Sequence, residues 1–224
     1  MARDFDGSND EINCGSDASI DDLAQLTTLC WLNTDLATSF RQIWDKGAGH
    51  LVVLDAPNGD IILRTGHATD GEWSGAGTIA AGAATHVATV HDSSSDANNP
   101  TIYIDGVSVT VTESVAPVGA RDSDAANALN IGETLAGSND FDGAIGWFVW
   151  VNGLLTAADV NRHRWWGCAP GGPSTMKIWH PFWTDSLVNR ATATADGTAV
   201  GTTMNTTKLP KVERMHGSMM GVGR

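Results

Sequence analysis

The carboxylate and histidine side chains are the groups of this chain that could catalyse a reaction, and their spacing argues against catalysis. Retaining hydrolysis of a glycoside needs two carboxylates about 5 Å apart, which neighbouring positions on one face of a strand provide. No two of the five glutamates lie within a strand of each other: Glu11, Glu72, Glu113, Glu133 and Glu213. The histidines form no His-Glu-x-x-His or His-x-His pattern, and no serine stands in Gly-x-Ser-x-Gly. We therefore predict a protein without enzymatic activity.

A tryptophan and an aspartate in one glycine-rich segment could instead bind a carbohydrate. Trp73 stands in Asp-Gly-Glu-Trp-Ser-Gly-Ala-Gly, residues 70–77, which we interpret as a loop. An indole ring can stack on the apolar face of a sugar, and a carboxylate accepts hydrogen bonds from hydroxyl groups. Asp70 and Trp73 are therefore the candidate carbohydrate-binding residues.

The other tryptophans divide into two groups by their position in the chain. Four of them lie in strand-like runs and are predicted to be core residues: Trp31, Trp44, Trp147 and Trp150. Trp147 and Trp150 are three residues apart, so a regular strand directs them to opposite faces, and one of them is expected at a surface. The second group lies farther along the chain and comprises Trp165, Trp166, Trp179 and Trp183. Because tryptophan is enriched in protein interfaces, these four are candidate partner-docking residues; in the alternative interpretation they bury the C-terminal segment against the chain's own domain.

The charge of the chain excludes nucleic acid as a partner. The formal net charge is −13, whereas binding to a phosphate backbone requires a basic surface. Residues 1–160 carry 5 basic and 23 acidic side chains, and residues 161–224 carry 8 basic and 3 acidic ones. This asymmetry indicates a C-terminal segment that docks on an acidic surface, its own or that of a neighbour. No run approaches the roughly 18 apolar residues that cross a membrane.

The three cysteines, Cys14, Cys30 and Cys168, are an odd number without the spacing of metal ligands, so no metal site is predicted from them. We interpret them as small buried thiols, with one disulfide and a remaining thiol as the alternative.

Short apolar runs separated by turn residues predict an all-β chain. Asp105-Gly106 lies between two alternating runs and predicts a hairpin, and Asn58-Gly59 predicts a second one with a type I′ turn. The predicted strands are residues 5–15, 26–34, 41–47, 50–55, 60–65, 84–92, 101–111, 128–133 and 141–153. Their spacing is typical of an antiparallel sandwich or barrel.

One helix and a boundary follow the last of these strands. Thr156 and Asp159 form an imperfect capping box that predicts a helix through residues 157–166. Cys168-Ala-Pro-Gly-Gly-Pro then ends regular structure. We predict a sandwich domain over residues 1–167 and a C-terminal extension over residues 168–224, whose segment 191–204 could form one or two strands.

The order of these segments resembles that of laminin-G-like domains, which are concanavalin A-like jelly rolls of the lectin/glucanase type. The matching stretches begin with Phe-Asp-Gly and continue with an apolar strand that contains tryptophan, then an Ala-centred strand before Tyr-Ile-Asp-Gly. They end with an Ile-Gly followed by Phe-Asp-Gly. Their ranges are residues 5–15, 26–33, 85–92, 101–109, 129–133 and 141–160. The resemblance implies an all-β concanavalin A-like sandwich of a kind found in phage virion proteins. It covers about residues 5–164.

The chain departs from this family at a position that bears on calcium. Gly146 stands where the family usually has an acidic residue, which removes one oxygen ligand, while calcium takes six to eight. The carboxylates that the resemblance leaves as calcium ligands are Asp6, Asp10, Asp140 and Asp142. In the alternative interpretation these aspartates form turns and carry surface charge, and no cofactor is then expected.

We expect a binding or structural role. The first hypothesis is a structural component of a tailed-phage virion, for example a capsid decoration protein, which contacts other virion proteins or copies of itself. The N-terminal residues contain no apolar segment of a signal peptide, so we expect the protein to be made in a host cytoplasm and to reside in the virion. The alternative is an extracellular lectin-like module that binds a glycan, with or without calcium.

Overall fold

The chain forms a sandwich of two antiparallel sheets. The computed structural model describes residues 2–35, 40–55, 58–77, 79–166, 175–180 and 196–205. Within these residues the strands are β1 (Ala2–Asp6), β2 (Glu11–Asn13), β3 (Gln25–Thr34), β4 (Phe40–Gly47), β5 (His50–Asp55), β6 (Asp60–Thr65), β7 (His67–Thr69), β8 (Gly71–Gly75), β9 (Thr85–Asp92), β10 (Thr101–Ile104), β11 (Val107–Ser108), β12 (Val111–Val115), β13 (Val118–Arg121), β14 (Asn130–Ile131), β15 (Asp142–Asn152), β16 (Met176–His180), β17 (Thr198–Val200) and β18 (Thr203–Asn205). One helix, α1 (Ala157–Trp166), completes the described structure, and the predicted all-β class is confirmed.

In the part of the chain that the structure describes, each of the two sheets has eight strands. The first sheet has the order β11-β10-β9-β3-β15-β1-β18, with β16 also paired to β15, and the second has the order β12-β8-β6-β5-β4-β14-β2-β17. Strands β7 and β13 form a separate pair. The first strand of the chain lies beside the last long strand, because Phe5 pairs with Gly143. On its other side β15 pairs with β3, and this close approach needs a glycine, since a Cβ at Gly143 would lie 2.1 Å from the carbonyl oxygen of Asn33.

The two predicted hairpins form, but only one has the predicted turn. Asp105 and Gly106 both have positive φ angles, 51° and 78°, and join β10 to β11 as a two-residue turn. Strands β5 and β6 are joined differently, because the last pair between them is Asp55 with Asp60. Four residues, 56–59, therefore connect these strands, and the predicted type I′ turn at Asn58-Gly59 is wrong.

Apolar side chains of both sheets meet in one core. Trp44 of the second sheet and Trp150 of the first are both 1% exposed, and their rings meet edge to face with centroids 4.9 Å apart. Phe5 and Phe141 pack in the same geometry at 6.0 Å. Such pairs add about 0.5–1.5 kcal/mol to what burial alone contributes. The alternating apolar positions of the predicted strands thus supply the core between the sheets.

Strand β15 contains a bulge that changes which side chains face the core. Its pairing with β3 shifts by one residue between Gly146 and Val149, and Trp147 in this bulge has a φ of 49°. Trp147 therefore lies on the outer face of the first sheet, whereas Phe148 and Trp150 lie in the core. Trp147 and Trp150 do occupy opposite faces, but the expected surface position is wrong, because Trp147 is only 5% exposed.

Helix α1 covers part of this outer face. Its N-terminus is capped as predicted, because Thr156 Oγ1 accepts from the Asp159 backbone N–H at 3.3 Å and donates to the Asp159 carboxylate at 2.7 Å. Val160 is fully buried against a cluster of outer-face apolar residues that includes Leu29 and Val149. The next residue, Asn161, donates from its side-chain amide to the carbonyl of Gly106 at 3.1 Å. The helix is thus attached both to the sheet and to the β10–β11 hairpin.

A histidine pair lies between α1 and the first sheet. His86 of β9 and His163 of α1 are fully buried, with His86 Nε2 and His163 Nδ1 2.9 Å apart. The His86 ring also packs edge to face against Trp31 at 5.5 Å. Burial lowers the pKa of His163 to about 3, and burial followed by the neighbouring His163 holds the pKa of His86 well below 6.5. Both rings are therefore neutral at neutral pH, and this arrangement suits packing rather than base catalysis.

The described part of the C-terminal extension adds strands to both sheets. Strand β16 pairs with β15, β18 pairs with β1, and β17 pairs with β2 of the second sheet. Ile178 of β16 is fully buried in the core between the sheets, and Met176 is 4% exposed on the outer face. The predicted boundary at residue 167 lies outside the described residues. The predicted strands within residues 191–204 correspond to β17 and the first two residues of β18.

The first prediction concerns the contribution of this extension to stability. Ile178→Ala removes a fully buried side chain from the core, so we expect the free energy of unfolding to fall by about 2–5 kcal/mol in a urea titration. Val200→Ala in the same extension changes a side chain that is 49% exposed, and we expect a change within about 0.5 kcal/mol. Equal unfolding curves for the Ile178→Ala variant and the unmodified chain would show that β16 is not part of the cooperative unit.

The second prediction concerns the effect of acid on stability. Burial lowers the pKa of His86, His91 and His163 below the unfolded value of 6.5, to about 4 for His91 and about 3 for His163. Well above pH 6.5 these groups are neutral in both states, and as the pH falls from 6.5 to 5 mainly the unfolded state binds protons. Each such histidine then removes about 1.4 kcal/mol of stability per pH unit. Urea titrations at pH 7.5 and pH 5 should give a lower free energy of unfolding at pH 5; an equal or higher value contradicts the neutral buried pair.

Candidate functional site

The structure buries one of the two residues that we predicted to bind a carbohydrate. Trp73 lies on strand β8, not in a loop, and is 1% exposed. Glu72 and Ser74, its neighbours, alternate with it as in a regular strand, so the interpretation of residues 70–77 as a loop is wrong. Asp70 accepts a hydrogen bond from the backbone N–H of His67 at 3.2 Å and stabilises the connection between β7 and β8. Trp73 therefore presents no sugar-stacking surface in this conformation. Asp70 is partly exposed, and its contact with a carbohydrate stays a prediction.

An open groove lies instead at the end of strands β9 and β10. Its volume is about 330 Å³, which is within the range of small-ligand sites. The lining residues come from the two strands, the loop between them and the turn before α1: Val90, Asp92, Ala97, Asn98, Asn99, Thr101 and Leu154. The groove thus combines a carboxylate, two amides and a hydroxyl group with the side chain of Leu154, which is 44% exposed.

Short-range hydrogen bonds fix the loop of residues 93–100 that forms one wall of the groove. The Asn98 side-chain amide donates to the carbonyl of Asp92 at 3.0 Å and ties the loop to the last residue of β9. The Ser94 backbone N–H donates to the Asp92 carboxylate at 3.1 Å, which is an Asx turn. Ser93 donates to the Ala24 carbonyl through both its backbone N–H and its hydroxyl group. The loop is thereby attached to the segment that precedes β3.

Two buried aromatic side chains form hydrogen bonds to the same loop. The Trp73 indole N–H donates to the Asn99 side-chain oxygen at 2.8 Å, and His91 Nε2 lies 3.1 Å from the Asn98 carbonyl. The two rings pack edge to face with centroids 4.9 Å apart. Burial lowers the pKa of His91 to about 4, so the neutral ring donates through Nε2 to the carbonyl at neutral pH. Trp73 therefore belongs to this site as a positioning residue under the loop.

The carboxylate of the groove is ionised at neutral pH. Hydrogen bonds from Ser94 lower the pKa of Asp92 below its usual value; burial opposes them, and the hydrogen bond from Gln25 lowers the pKa further. The Gln25 side-chain amide donates to the second carboxylate oxygen at 3.3 Å. Asp92 remains partly exposed and can accept further hydrogen bonds from a ligand.

Two other cavities are less suited to a polar ligand. An enclosed one of about 20 Å³ lies between the sheets near His50, Arg121 and Trp150 and has room for one water molecule. A second open groove of about 330 Å³ is lined by Ala76, Gly77, Ile104 and Val109 and carries no polar side chain. A sugar needs several hydrogen-bonding partners as well as space, so only the groove at Asp92 meets both conditions among the three.

The four candidate calcium ligands lie near one another at the β1–β15 end of the sandwich. Asp6 pairs with Asp142 across the strands, and Asp10 accepts from the Asp6 backbone N–H at 2.7 Å. Burial, then repulsion from Asp6, Asp4 and Asp140, raises the pKa of Asp10, while the hydrogen bond from Asp6 lowers it. Within the described residues, no group of three or more acidic, histidine or cysteine side chains has the geometry to hold a metal ion.

The candidate partner-docking tryptophans lie at the end of α1 and in the extension. Trp165 is 64% exposed, and the guanidinium of Arg164 lies 4.6 Å from the centre of its ring. Trp166 ends the helix, and Trp179 lies on β16 opposite Val149. Trp183 lies outside the described residues. Among the described helices none has the length and apolar character to cross a membrane.

The two cysteines in the described residues are confirmed as buried thiols. Burial raises the pKa of both Cys14 and Cys30 to about 12, so each thiol is protonated at neutral pH. Cys168 lies outside the described residues.

Sequence reasoning did not identify the residues that line the groove. The stretch Ser-Ser-Ser-Asp-Ala-Asn-Asn, residues 93–99, is the most polar segment between two strong strand patterns, and this composition was a usable signal for a binding loop. The partnership of Leu154 with this loop depends on the pairing of β3 with β9 and β15, which residue spacing does not reveal.

Comparisons with solved structures show the same sandwich in other proteins. A putative carbohydrate-binding protein from Bacteroides ovatus superposes with a TM-score of 0.69 at 14% identity, over 92% of this chain and 60% of that chain. The chain thus spans about three fifths of that protein's structure. The heptameric SAP-like pentraxin of Limulus polyphemus has a TM-score of 0.54 at 13% identity, over 88% of this chain and 93% of that chain.

A third structure is the CBM40 domain of the Ruminococcus gnavus IT-sialidase bound to α2,3-sialyllactose, with a TM-score of 0.50 at 12% identity, over 72% of this chain and 94% of that chain. At these identities the three likenesses show a common fold. The sequence matches no curated protein.

The family assignment comes from the sequence itself. Residues 6–161 match the Laminin_G_3 family model, which describes the concanavalin A-like lectin/glucanases superfamily. This range covers β2–β15 and the first half of α1, which agrees with the predicted resemblance over residues 5–164. The chain therefore belongs to the Laminin_G_3 family of the concanavalin A-like lectin/glucanases superfamily.

Proposed function

We propose that this protein is a non-catalytic carbohydrate-binding module and that the groove at Asp92 is its binding site. The observation that carries the proposal is the composition of this groove, in which Asp92, Asn98, Asn99 and Thr101 surround an open volume of about 330 Å³ beside exposed Leu154. The solved structures with the same fold include a putative carbohydrate-binding protein, which supports this direction.

The side chains of the groove match the two kinds of surface that a sugar ring presents. Ring hydroxyl groups both donate and accept hydrogen bonds, and the carboxylate and amides of the groove supply acceptors and donors for them. The C–H groups of a ring form an apolar face, which the side chain of Leu154 can cover. Because the loop of residues 93–100 is already fixed by hydrogen bonds, binding costs little further ordering of the protein.

The same composition argues against hydrolysis of the bound sugar. Asp92 is the one ionisable side chain among the groove residues, and acid–base cleavage of a glycosidic bond uses two carboxyl groups. The candidate calcium ligands lie near β1 and β15, whereas the groove lies at β9 and β10. We therefore propose binding that needs no metal ion and leads to no chemical reaction.

The third prediction tests the groove with two exposed leucines. Leu154→Ala removes the apolar wall of the groove, so we expect about fivefold weaker glycan binding, as burial of part of a leucine side chain contributes about 1 kcal/mol. Leu135→Ala changes a leucine that is 38% exposed on another loop and should leave affinity unchanged.

A glycan array with the purified chain identifies a ligand, and calorimetry with that glycan, with and without EDTA, measures the affinities. Loss of binding with EDTA, or equal affinities for the two leucine variants, contradicts the proposed site.

As a second candidate function we keep assembly into a tailed-phage virion, as a capsid decoration or other structural protein. One observation favours it: Trp165 is 64% exposed at the end of α1, and an exposed tryptophan is a common anchor of protein interfaces. Its partners would be other virion proteins or further copies of this chain. This role locates the protein in a virion, whereas the carbohydrate-binding role suits an extracellular location.

The fourth prediction tests this assembly. If Trp165 anchors contacts between copies, sedimentation velocity should show ordered oligomers of the full chain, and Trp165→Ala should weaken association by about 30-fold, the effect of a residue worth about 2 kcal/mol. Phe40→Ala serves as the control, because Phe40 is an aromatic residue that is 48% exposed on strand β4. A monomer at all concentrations, or an equal effect of both substitutions, contradicts this role for Trp165.

A further inference from the structure

We propose that the groove at Asp92 selects neutral glycans and rejects those that carry sialic or uronic acids. This inference rests on the proposed function and adds the chemical class of the ligand. It follows from the distribution of charge around the groove, in which one negative side chain faces the ligand and the nearby positive side chains are already paired.

The wall of the groove contains a negative charge at a place where a ligand would meet it. Asp92 is partly exposed, and its carboxylate oxygens are 3.1 Å from the Ser94 backbone N and 3.3 Å from the Gln25 side-chain N. These two hydrogen bonds stabilise the ionised form and leave acceptor capacity for a hydroxyl group, since a carboxylate can accept about four hydrogen bonds. A second carboxylate brought into the groove would meet repulsion instead.

The segments that build the groove supply no compensating cation. Residues 65–120, which include β9, β10 and the loop between them, contain neither lysine nor arginine. Recognition of a sugar carboxylate commonly uses the planar donor pair of an arginine or the charge of a lysine. The groove offers only amide and hydroxyl donors for this purpose, from Asn98, Asn99 and Thr101.

The arginines that flank these segments in sequence already have acidic partners. Arg64 pairs with Glu72, Arg121 with Asp124 at 2.7 Å, Arg162 with Asp159 at 3.0 Å, and Arg164 with Asp105 at 3.3 Å. Moving any of them to an anionic ligand would break its present ion pair. The net charge of −13 adds a long-range repulsion of anions that acts in the same direction.

The fifth prediction concerns the affinities of the full chain for pairs of neutral and anionic glycans. The probes are neutral oligosaccharides, each paired with its sialylated form or with the form in which a hexose is replaced by a uronic acid. We expect the neutral member of a pair to bind at least tenfold more tightly at low salt, and the ratio to decrease at 0.5 M NaCl because salt screens the repulsion.

Two variants test whether Asp92 is the source of the selection. Asp92→Asn keeps the shape of the side chain and removes its charge, so the ratio between neutral and anionic members should fall at least threefold. Asp96→Asn removes the same charge from the same loop at a residue that does not line the groove, and should leave the ratio close to that of the unmodified chain.

The outcomes separate this inference from the proposed function. Binding of an anionic glycan as tight as that of its neutral partner, or an unchanged ratio in Asp92→Asn, overturns the charge selection and leaves the carbohydrate-binding function standing. Absence of binding to every glycan of both classes overturns the proposed function, and the inference with it.

Discussion

Strand β15 has to be buried on both of its faces, and this requirement determines the layers around it. Phe148 and Trp150 fill the core between the sheets, while Trp147 and Val149 lie on the outer face of the first sheet. Exposed apolar area of this kind costs about 25 cal/mol per Å². The outer face is therefore covered, by Val160 and His163 of helix α1 and by Met176 of β16. Helix α1 and strand β16 thus meet a requirement that the composition of one strand imposes.

The proposed binding site depends on one loop, and several contacts hold this loop in place. Residues 93–100 are attached to the segment before β3 through Ser93 and to the buried side chains of Trp73 and His91. A ligand with many hydroxyl groups exchanges hydrogen bonds to water for hydrogen bonds to protein, so the net gain per bond is small. Under that condition a loop that is already ordered has a decisive advantage, because little entropy is lost on binding.

Local signals in the sequence predicted those parts of the fold that depend on neighbouring residues. The Asp105-Gly106 hairpin forms because both residues tolerate positive φ angles, and helix α1 begins at the capping box of Thr156. The bulge at Trp147 was beyond such reasoning, because it results from the register between β15 and β3. The incorporation of β16 into the first sheet was missed for the same reason: Ile178 gains its burial from residues more than twenty positions away in the chain.

The wrong prediction for Trp73 at the candidate site also arose because its position depends on residues distant in the chain. Trp73 was chosen because glycines on both sides suggested a loop, but Gly71 and Gly75 are glycines for a packing reason. A Cβ at Gly71 would lie 2.4 Å from the Trp73 ring, and one at Gly75 would lie 2.9 Å from Ile102. Gly71 thus makes room for the buried indole and Gly75 makes room for Ile102. The indole N–H then reaches Asn99 in the loop of residues 93–100. An aromatic residue among glycines is consequently consistent with two opposite situations, exposure in a loop or tight packing in a strand. What distinguishes them is the partner of the indole N–H, a property of the tertiary structure alone.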